Sequence, residues 1–362
     1  MTGTLTDIAA GANRIASLQQ ADGAIPWIEA GLWDPWNHGE SVMALAVAGR
    51  DVEARAGLDC LASRQEGDGG WTGELGAGVP LDDTNRRLVV DNPATARDTN
   101  FAGYVAVTVL RTAVALNAPD ILKRYAPMVR RAMDFVAHCQ TRQGDIIWRA
   151  PDQGELRENI DSLRAGNASL FKSFDCAIEI ESRLGVSRPD WQRIQADIGD
   201  ALHDKDWRFD RYGIDRRRYA MDWYYPVLAG VVPAQDGQRR LEAGWARFVV
   251  EGAGCRCVAD EPWVTTAETA ELALACASVG WTTRAARLIR HLDPLVASEG
   301  GYWMGWQFAE EVIWPLERPS WTAAAVILAA DAIESLTPGS DLLIRPASPS
   351  RIRPTGAALR AY

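Results

Sequence analysis

Six short stretches of this chain concentrate the side chains able to move protons, stack on flat faces or hold a polar ligand. The first, "WDPWNHGE", offers Trp33, Trp36, Asn37, His38 and Glu40. The second, "RDTN", brings Asp98, Thr99 and Asn100, and a third region supplies Glu158, Asp161 and Asn167. "MDWYY" contributes Asp222, Trp223, Tyr224 and Tyr225. The fifth has Glu261, Trp263, Thr265, Thr266 and Glu268; the sixth has Glu310, Glu311, Trp314, Ser320 and Trp321. Each has an ordinary structural explanation. Asp98, Thr99 and Ser320 are residue types that cap helix N-termini, and acids near helix starts suit the macrodipole. A buried histidine with both nitrogens bonded would account for His38, which otherwise stands two residues from Glu40 and could handle protons. Together they describe a deep pocket of mixed polarity. Carboxylates crowded there lose solvent, so at least one is expected to hold its proton and act as a general acid. Aromatic faces would stabilise a developing cation or stack on sugar rings. The catalytic candidates from this reading are Asp98, Asp222 and His38. The candidate ligand contacts are Trp33, Trp36, Asn37, Glu40, Asn100, Asp161, Asn167, Trp223, Tyr224, Tyr225, Trp263, Glu268, Trp314 and Trp321.

The elements that must position these groups are helical. A motif of apolar run, Gln, Gly/Asp turn and Trp recurs in "SLQQADGAIPW", "SRQEGDGGW" and "HCQTRQGDIIW", with weaker echoes ending at Trp207, Trp263 and Trp303, six copies in all. Such periodicity is the mark of a repeat architecture. Between the marks lie Ala-, Val- and Leu-rich helices, such as residues 98–116 and 320–336, apolar around most of their circumference as buried helices are. The helices before each Trp are amphipathic. Residues 120–140 place Ile121, Leu122, Tyr125, Met128, Val129, Met133, Phe135 and Val136 broadly on one stripe. Alternating β-branched runs are nearly absent. The expected fold is all-α: a single (α/α)6 toroid of six helical hairpins in two concentric layers, residues 1–338. A Pro-, Ser- and Arg-rich irregular tail, 339–362, is expected to wrap its outside or to be mobile.

Composition narrows the partners. A net charge of −10 and a pI of about 5.1 argue against nucleic acid. No stretch approaches the length of a membrane span, and no secretory signal opens the chain, so a soluble, cytoplasmic protein is expected. The six cysteines are scattered, and only Cys255 and Cys257 are close enough to suggest a metal; no metal or cofactor is expected. Of the fifteen tryptophans some must be core, and so many also suggest an aromatic-lined cavity for a small-molecule substrate. Association into a homo-oligomer is compatible with the chain.

The Gln–acidic–Gly–Trp turns resemble those of the prenyltransferase and squalene-oxidase repeat of terpenoid cyclases and protein prenyltransferases. In "RQEGDGGW" the correspondence runs through Gln65, Asp68, Gly69 and Trp71, and in "QQADGAIPW" through Gln20, Asp22 and Gly23, with the ring displaced to Trp27. The resemblance implies a structural role for these turns, the Trp acting as a staple between hairpins. It also implies an isoprenoid substrate. "VPLDDTN" then matches the cyclases' acidic motif through Asp82, Asp83 and Thr84, although Pro80 takes its first acidic position, and Arg216, Arg217 and Arg218 would hold a diphosphate. The zinc ligands of protein prenyltransferases have no counterpart. The same fold class also hosts glycosidases and polysaccharide lyases. On that alternative His38, Asp98, Asp222 and Glu268 would supply acid and base. The turn motifs place the isoprenoid enzyme first and the carbohydrate enzyme second, with a non-catalytic binding scaffold third.

Overall fold

The computed structural model describes residues 4–29, 31–76, 96–209, 211 and 215–347. Asp82 and Asp83 lie outside the described residues. Twelve α-helices follow one another among those described. The outer layer comprises α1 (Ile8–Leu18), α3 (Asp51–Arg64), α5 (Asp120–His138), α7 (Pro189–Asp204), α9 (Ala234–Phe248) and α11 (Thr282–Arg290). The inner layer comprises α2 (Pro35–Val47), α4 (Thr99–Ala115), α6 (Arg164–Arg183), α8 (Ala220–Leu228), α10 (Thr266–Ser278) and α12 (Ser320–Glu334). Each inner helix packs on the next, and α12 returns to α2, so the chain folds as a closed (α/α)6 toroid.

Composition sorts the layers. Every residue of α4 from Ala102 to Ala113 is buried, as the all-round apolar pattern demands. The expected stripe of α5 is buried along its whole length, with Lys123, Arg124 and Arg131 outside. Local chemistry starts the inner helices. Asp34 caps α2 through the Asn37 N–H (2.9 Å), with Pro35 in the first turn, and Asp98 caps α4 through the N–H groups of Asn100 and Phe101.

The Gln–Gly turns join neighbouring outer helices. The Gln65 side-chain amide donates to Gly69 O (2.9 Å) within its turn and to Met128 O (3.0 Å) on α5. Gln19 does the same with Gly23 O and Glu53 O, so the functional glutamine of the first copy is Gln19 and not Gln20. Gln140 reaches Gly144 O and the Asp197 carboxylate. Gly69 has φ +99°, and a side chain there would fall on the Arg131 carbonyl. Only glycine combines that backbone with so close an approach. Gly300 lies in the same way against Ala10 of α1, closing the outer ring. Trp71, by contrast, donates to Leu61 O of its own helix (3.0 Å). The staple between hairpins is thus glutamine and glycine, and the indole fills space behind it.

Two features depart from the sequence expectation. Five short antiparallel strands form one sheet in the order β1 (Val249–Val250), β2 (Gly254–Arg256), β3 (Trp263–Thr265), β4 (Gly305–Gln307), β5 (Val312–Ile313). None exceeds three residues, too short for alternation to show in sequence. Residues 339–347 also do more than wrap the outside: Leu342, Leu343 and Ala347 are buried, and Leu343 reaches the ring's interior. Among the described residues no helix is long and apolar enough to cross a membrane.

Candidate active site

Because the layers alternate along the chain, all outer-to-inner connections open at one end of the toroid and all inner-to-outer ones at the other. The latter, such as 48–50 and 184–188, never exceed five residues. The former, such as 139–163 and 291–319, are long, and they surround the N-terminal turns of the inner helices. Among the described residues, this mouth carries nearly all the side chains that the sequence marks for chemistry.

On one side stands Asp98, half-buried at the start of α4. Burial pushes its carboxyl up to about 7, against the pull of the Phe101 and Asn100 N–H groups and with some help from the nearby Asp34 charge. Asn100 follows it, its side-chain oxygen buried beside the opening. In the ring order, α10 lies opposite α4, and its first turn carries Glu268, half-buried and accepting a hydrogen bond from Thr265 Oγ1. Asp222, on the first turn of α8, is buried and accepts from Ala165 N (3.3 Å). Asn37 donates from Nδ2 to Asp34 Oδ2 (2.6 Å), which also receives the Trp27 indole N–H (2.6 Å). Asp34 therefore fixes the mouth-facing turn of α2.

One helical turn deeper, an aromatic layer spans the ring. Trp36 stacks on Tyr104 with centroids 3.7 Å apart and an interplanar angle of 16°, and Tyr225 packs at 5.9 Å. Glu40 and Glu271 lie at this level from α2 and α10. Tyr104 OH donates to Glu40 Oε1 (3.3 Å), and Tyr224 OH donates to Glu271. Burial raises Glu40 to about 8, with the Asp34 charge adding to it, and raises Glu271 well above the usual carboxylate range. Beneath them a small space of about 20 Å³, room for one water, is bounded by Ser169, Lys172 and Leu343 as well.

Other candidates are turned to structural work. His38 accepts from Ile25 N at Nδ1 (3.1 Å) and pairs with Gly57 O at Nε2 (2.9 Å). Its burial lowers the imidazole to about 4, so it is neutral and holds α2 to its neighbours. Trp33 packs on that imidazole at 4.8 Å. Asn167 bonds Ile146 N and O and Leu163 O. Trp223 donates to Arg240 O (2.8 Å) and stacks on Phe248, facing the outer layer. Asp161 meets Arg211 and Arg216, while Arg217 pairs with Asp215 and Arg218 with Asp260. The arginine cluster is thereby engaged by carboxylates and does not form the diphosphate grip of the isoprenoid reading. Trp321 meets Trp27 edge to face at 6.0 Å. Trp263 and Trp314 sit on the lip, in and beside the sheet.

Sequence reasoning missed Asp34, Tyr104 and Glu271. Asp34 had a visible signal, an acid directly before Pro at a helix start. Tyr104 and Glu271 had none, since each lies inside a run that reads as buried helix.

Three comparisons bear on this arrangement. No protein-family model matches the chain. Among solved structures, a wild-type glycosidase superposes with a TM-score of 0.66 at 13% identity, covering 91% of this chain and 96% of its own. The GH63 mannosylglycerate hydrolase of Thermus thermophilus gives 0.64 at 14%, covering 88% and 98%, and a D-mannose isomerase 0.65 at 10%, covering 92% and 100%. At such identities these likenesses establish the fold alone. In sequence, the MMP endo-(1,4)-3-O-methyl-α-D-mannosidase of Mycolicibacterium hassiacum is 37% identical over 331 residues, 91% of this chain and 87% of that protein. This overturns the prenyltransferase and terpenoid-cyclase assignment: the Gln–Gly–Trp turn is a way of closing a helical toroid, and it carries no isoprenoid chemistry here. With that degree of identity along nearly its whole length, the chain belongs to the family of this mannosidase, a family of carbohydrate-active (α/α)6 enzymes.

Proposed function

We propose that the protein hydrolyses α-mannosidic bonds, with a chain of α-(1,4)-linked, O-methylated mannose as its substrate class. The observation that carries this reading is the relative's identity over 91% of the chain, combined with a carboxyl of raised pKa at the mouth. Glycoside hydrolysis needs one carboxylic acid to protonate the leaving oxygen and a carboxylate across the sugar to serve as base or nucleophile. Asp98 is suited to the first role. Its value of about 7 leaves a large protonated fraction at neutral pH, where an acid donates most effectively. Glu268, reaching in from the opposite helix, is suited to the second. A mannose held between them would rest above the Trp36–Tyr104 stack, whose exposed ring edges would give its C–H groups an apolar floor. Asn37 and Asn100 would bond its hydroxyls, Asn37 being bonded to Asp34. His38 has no part in this scheme, both its nitrogens being committed to the backbone.

The test is direct. The purified protein is incubated with 3-O-methylated α-(1,4)-oligomannosides, with unmethylated α-mannosides and with α-glucosides, and products are read by mass spectrometry. Cleavage of the mannosides, abolished in Asp98→Asn and Glu268→Gln, is the expected result. Turnover of glucosides alone, or of nothing, would overturn the assignment. Full activity in both variants would move the acid and base elsewhere.

A further inference from the structure

The lip of the mouth carries apolar side chains that the catalytic scheme does not use. Val312, Trp314 and Leu316 are 46, 49 and 76% exposed, and they alternate with half-buried Ile313 and Pro315. Only Val312 and Ile313 of this stretch lie in β5, so Trp314 and Leu316 are exposed in the connection that follows it. Grouped exposed apolar side chains of this kind mark a contact surface.

This surface is built, and it is continuous with the candidate site. The Trp263 indole N–H donates to Trp314 O (2.8 Å), and the two rings meet edge to face at 5.1 Å and 76°. Trp263 in turn lies across Gly305 of the neighbouring strand, where any Cβ would collide with the indole nitrogen. Trp314 is thus held from below by a fixed partner while its outer face stays open. Trp263 and Thr265 stand two apart in β3 and so share one face of the sheet. Thr265 donates to Glu268, so the row Trp314–Trp263–Thr265–Glu268 runs from open solvent to the proposed base.

We propose that Val312, Trp314 and Leu316 form an outer subsite for O-methylated sugar residues beyond the pair of carboxylates. The subsite rests on the mannosidase reading above. The Trp314 ring stacks on one face of the outer sugar, and Val312 and Leu316 receive its methyl group. O-methylation removes a hydroxyl donor and adds an apolar carbon, so a methylated sugar fits an apolar lip where a bare sugar would leave a hydroxyl without a partner. The subsite therefore contributes both grip on long chains and preference for methylated ones.

The test compares KM for a long methylated oligomer with KM for a methylated disaccharide. Trp314→Ala is expected to raise that ratio about tenfold, the scale of one lost aromatic stacking contact. Leu316→Ser, at a position too exposed to trouble folding, is expected to reduce the preference for methylated over bare oligomers about fourfold, the worth of one buried CH₂. Trp314→Phe should restore most of the length dependence. Unchanged ratios in Trp314→Ala and Leu316→Ser would overturn the subsite, as would equal losses on short and long chains. Titration calorimetry with the uncleaved long oligomer separates this idea from the catalytic one. A chain that binds through Trp314 but is never cut sinks the mannosidase mechanism and leaves the subsite standing. A chain that is cut with the same KM ratio in every variant does the opposite. Concentration-dependent dimers that Leu316→Ser dissolves would make the lip a contact between copies, and would also overturn it.

Discussion

The inner helices handle buried charge in opposite ways at their two ends. At the closed end, Arg111 and Asp331 meet at 2.8 Å with both side chains wholly buried, and Asp331 also receives the N–H and hydroxyl of Thr337. Lys172 donates to Arg345 O (2.7 Å), Arg345 pairs with Glu179, and Leu342 and Leu343 fill the remaining space. There, charges are matched by opposite charge or by carbonyls, and connections are short. Around the mouth the connections still pair Asp145 with Arg208 and Asp161 with Arg211 and Arg216, but along the inner helices burial falls on carboxyl groups held mainly by backbone N–H groups and tyrosine hydroxyls. Their acidity is weakened instead of their charge being matched. The inner helices themselves therefore bury an ion pair toward the closed end and proton-holding acids toward the mouth, where the proposed chemistry needs them.

The sharpest way to break this contrast is at Asp98. Asp98→Asn preserves a capping residue type, so the melting temperature should hardly move, while kcat should fall roughly 10²- to 10⁴-fold. In the wild type, kcat should decline as pH rises through about 7, because Asp98 then loses the proton it must donate. A variant that loses stability as much as activity would make Asp98 a cap and nothing more.

Asp331→Ala attacks the other end. It leaves Arg111 buried without its carboxylate, which costs about 3–5 kcal/mol, and chemical denaturation should reveal it. Activity per folded molecule should be retained at low temperature. If kcat falls in step with stability, the two ends are less separate than the comparison holds.

Gly69→Ala tests the staple between outer helices. With φ +99° and the Arg131 carbonyl in the way, the change should cost about 1–3 kcal/mol, visible as a lowered denaturation midpoint. A neutral outcome would mean that the turn can relax away from α5.

A further expected effect is a slope of stability with pH. Glu40 is raised to about 8 from an ordinary 4.5, so the folded state holds its proton more tightly than the unfolded chain does. Its contribution is fully present below about 4.5 and is lost as pH rises through about 8. Glu40→Gln should flatten the fall in melting temperature between those limits by a few degrees. An unchanged slope would assign the effect to Glu271 alone.

Much of the architecture was legible because it rests on local pattern. The Gln–Gly–Trp marks counted six hairpins, and the contrast between the all-round apolar α4 and the striped α5 sorted inner from outer helices. The same marks misled on chemistry. A glycine with positive φ and a glutamine bonding across to the next helix solve a packing problem that any closed helical ring shares, whatever it binds. The sheet stayed hidden because its strands are two or three residues long.

The chain's own pattern therefore determined the number of helices, their two-layer order and the helix starts at which Asp98, Asp222 and Glu268 would gather. Which of these groups meet was decided only by closure of the ring. His38 and Glu40 lie two residues apart, yet one is bonded on both nitrogens between helices while the other faces the axis beside Glu271. Arg111 and Asp331 meet across 220 residues of sequence. Helical periodicity is a property of a few neighbouring residues. The environment that holds a proton on a carboxyl or neutralises a guanidinium comes from side chains of several distant helices, and it exists only once the toroid has closed.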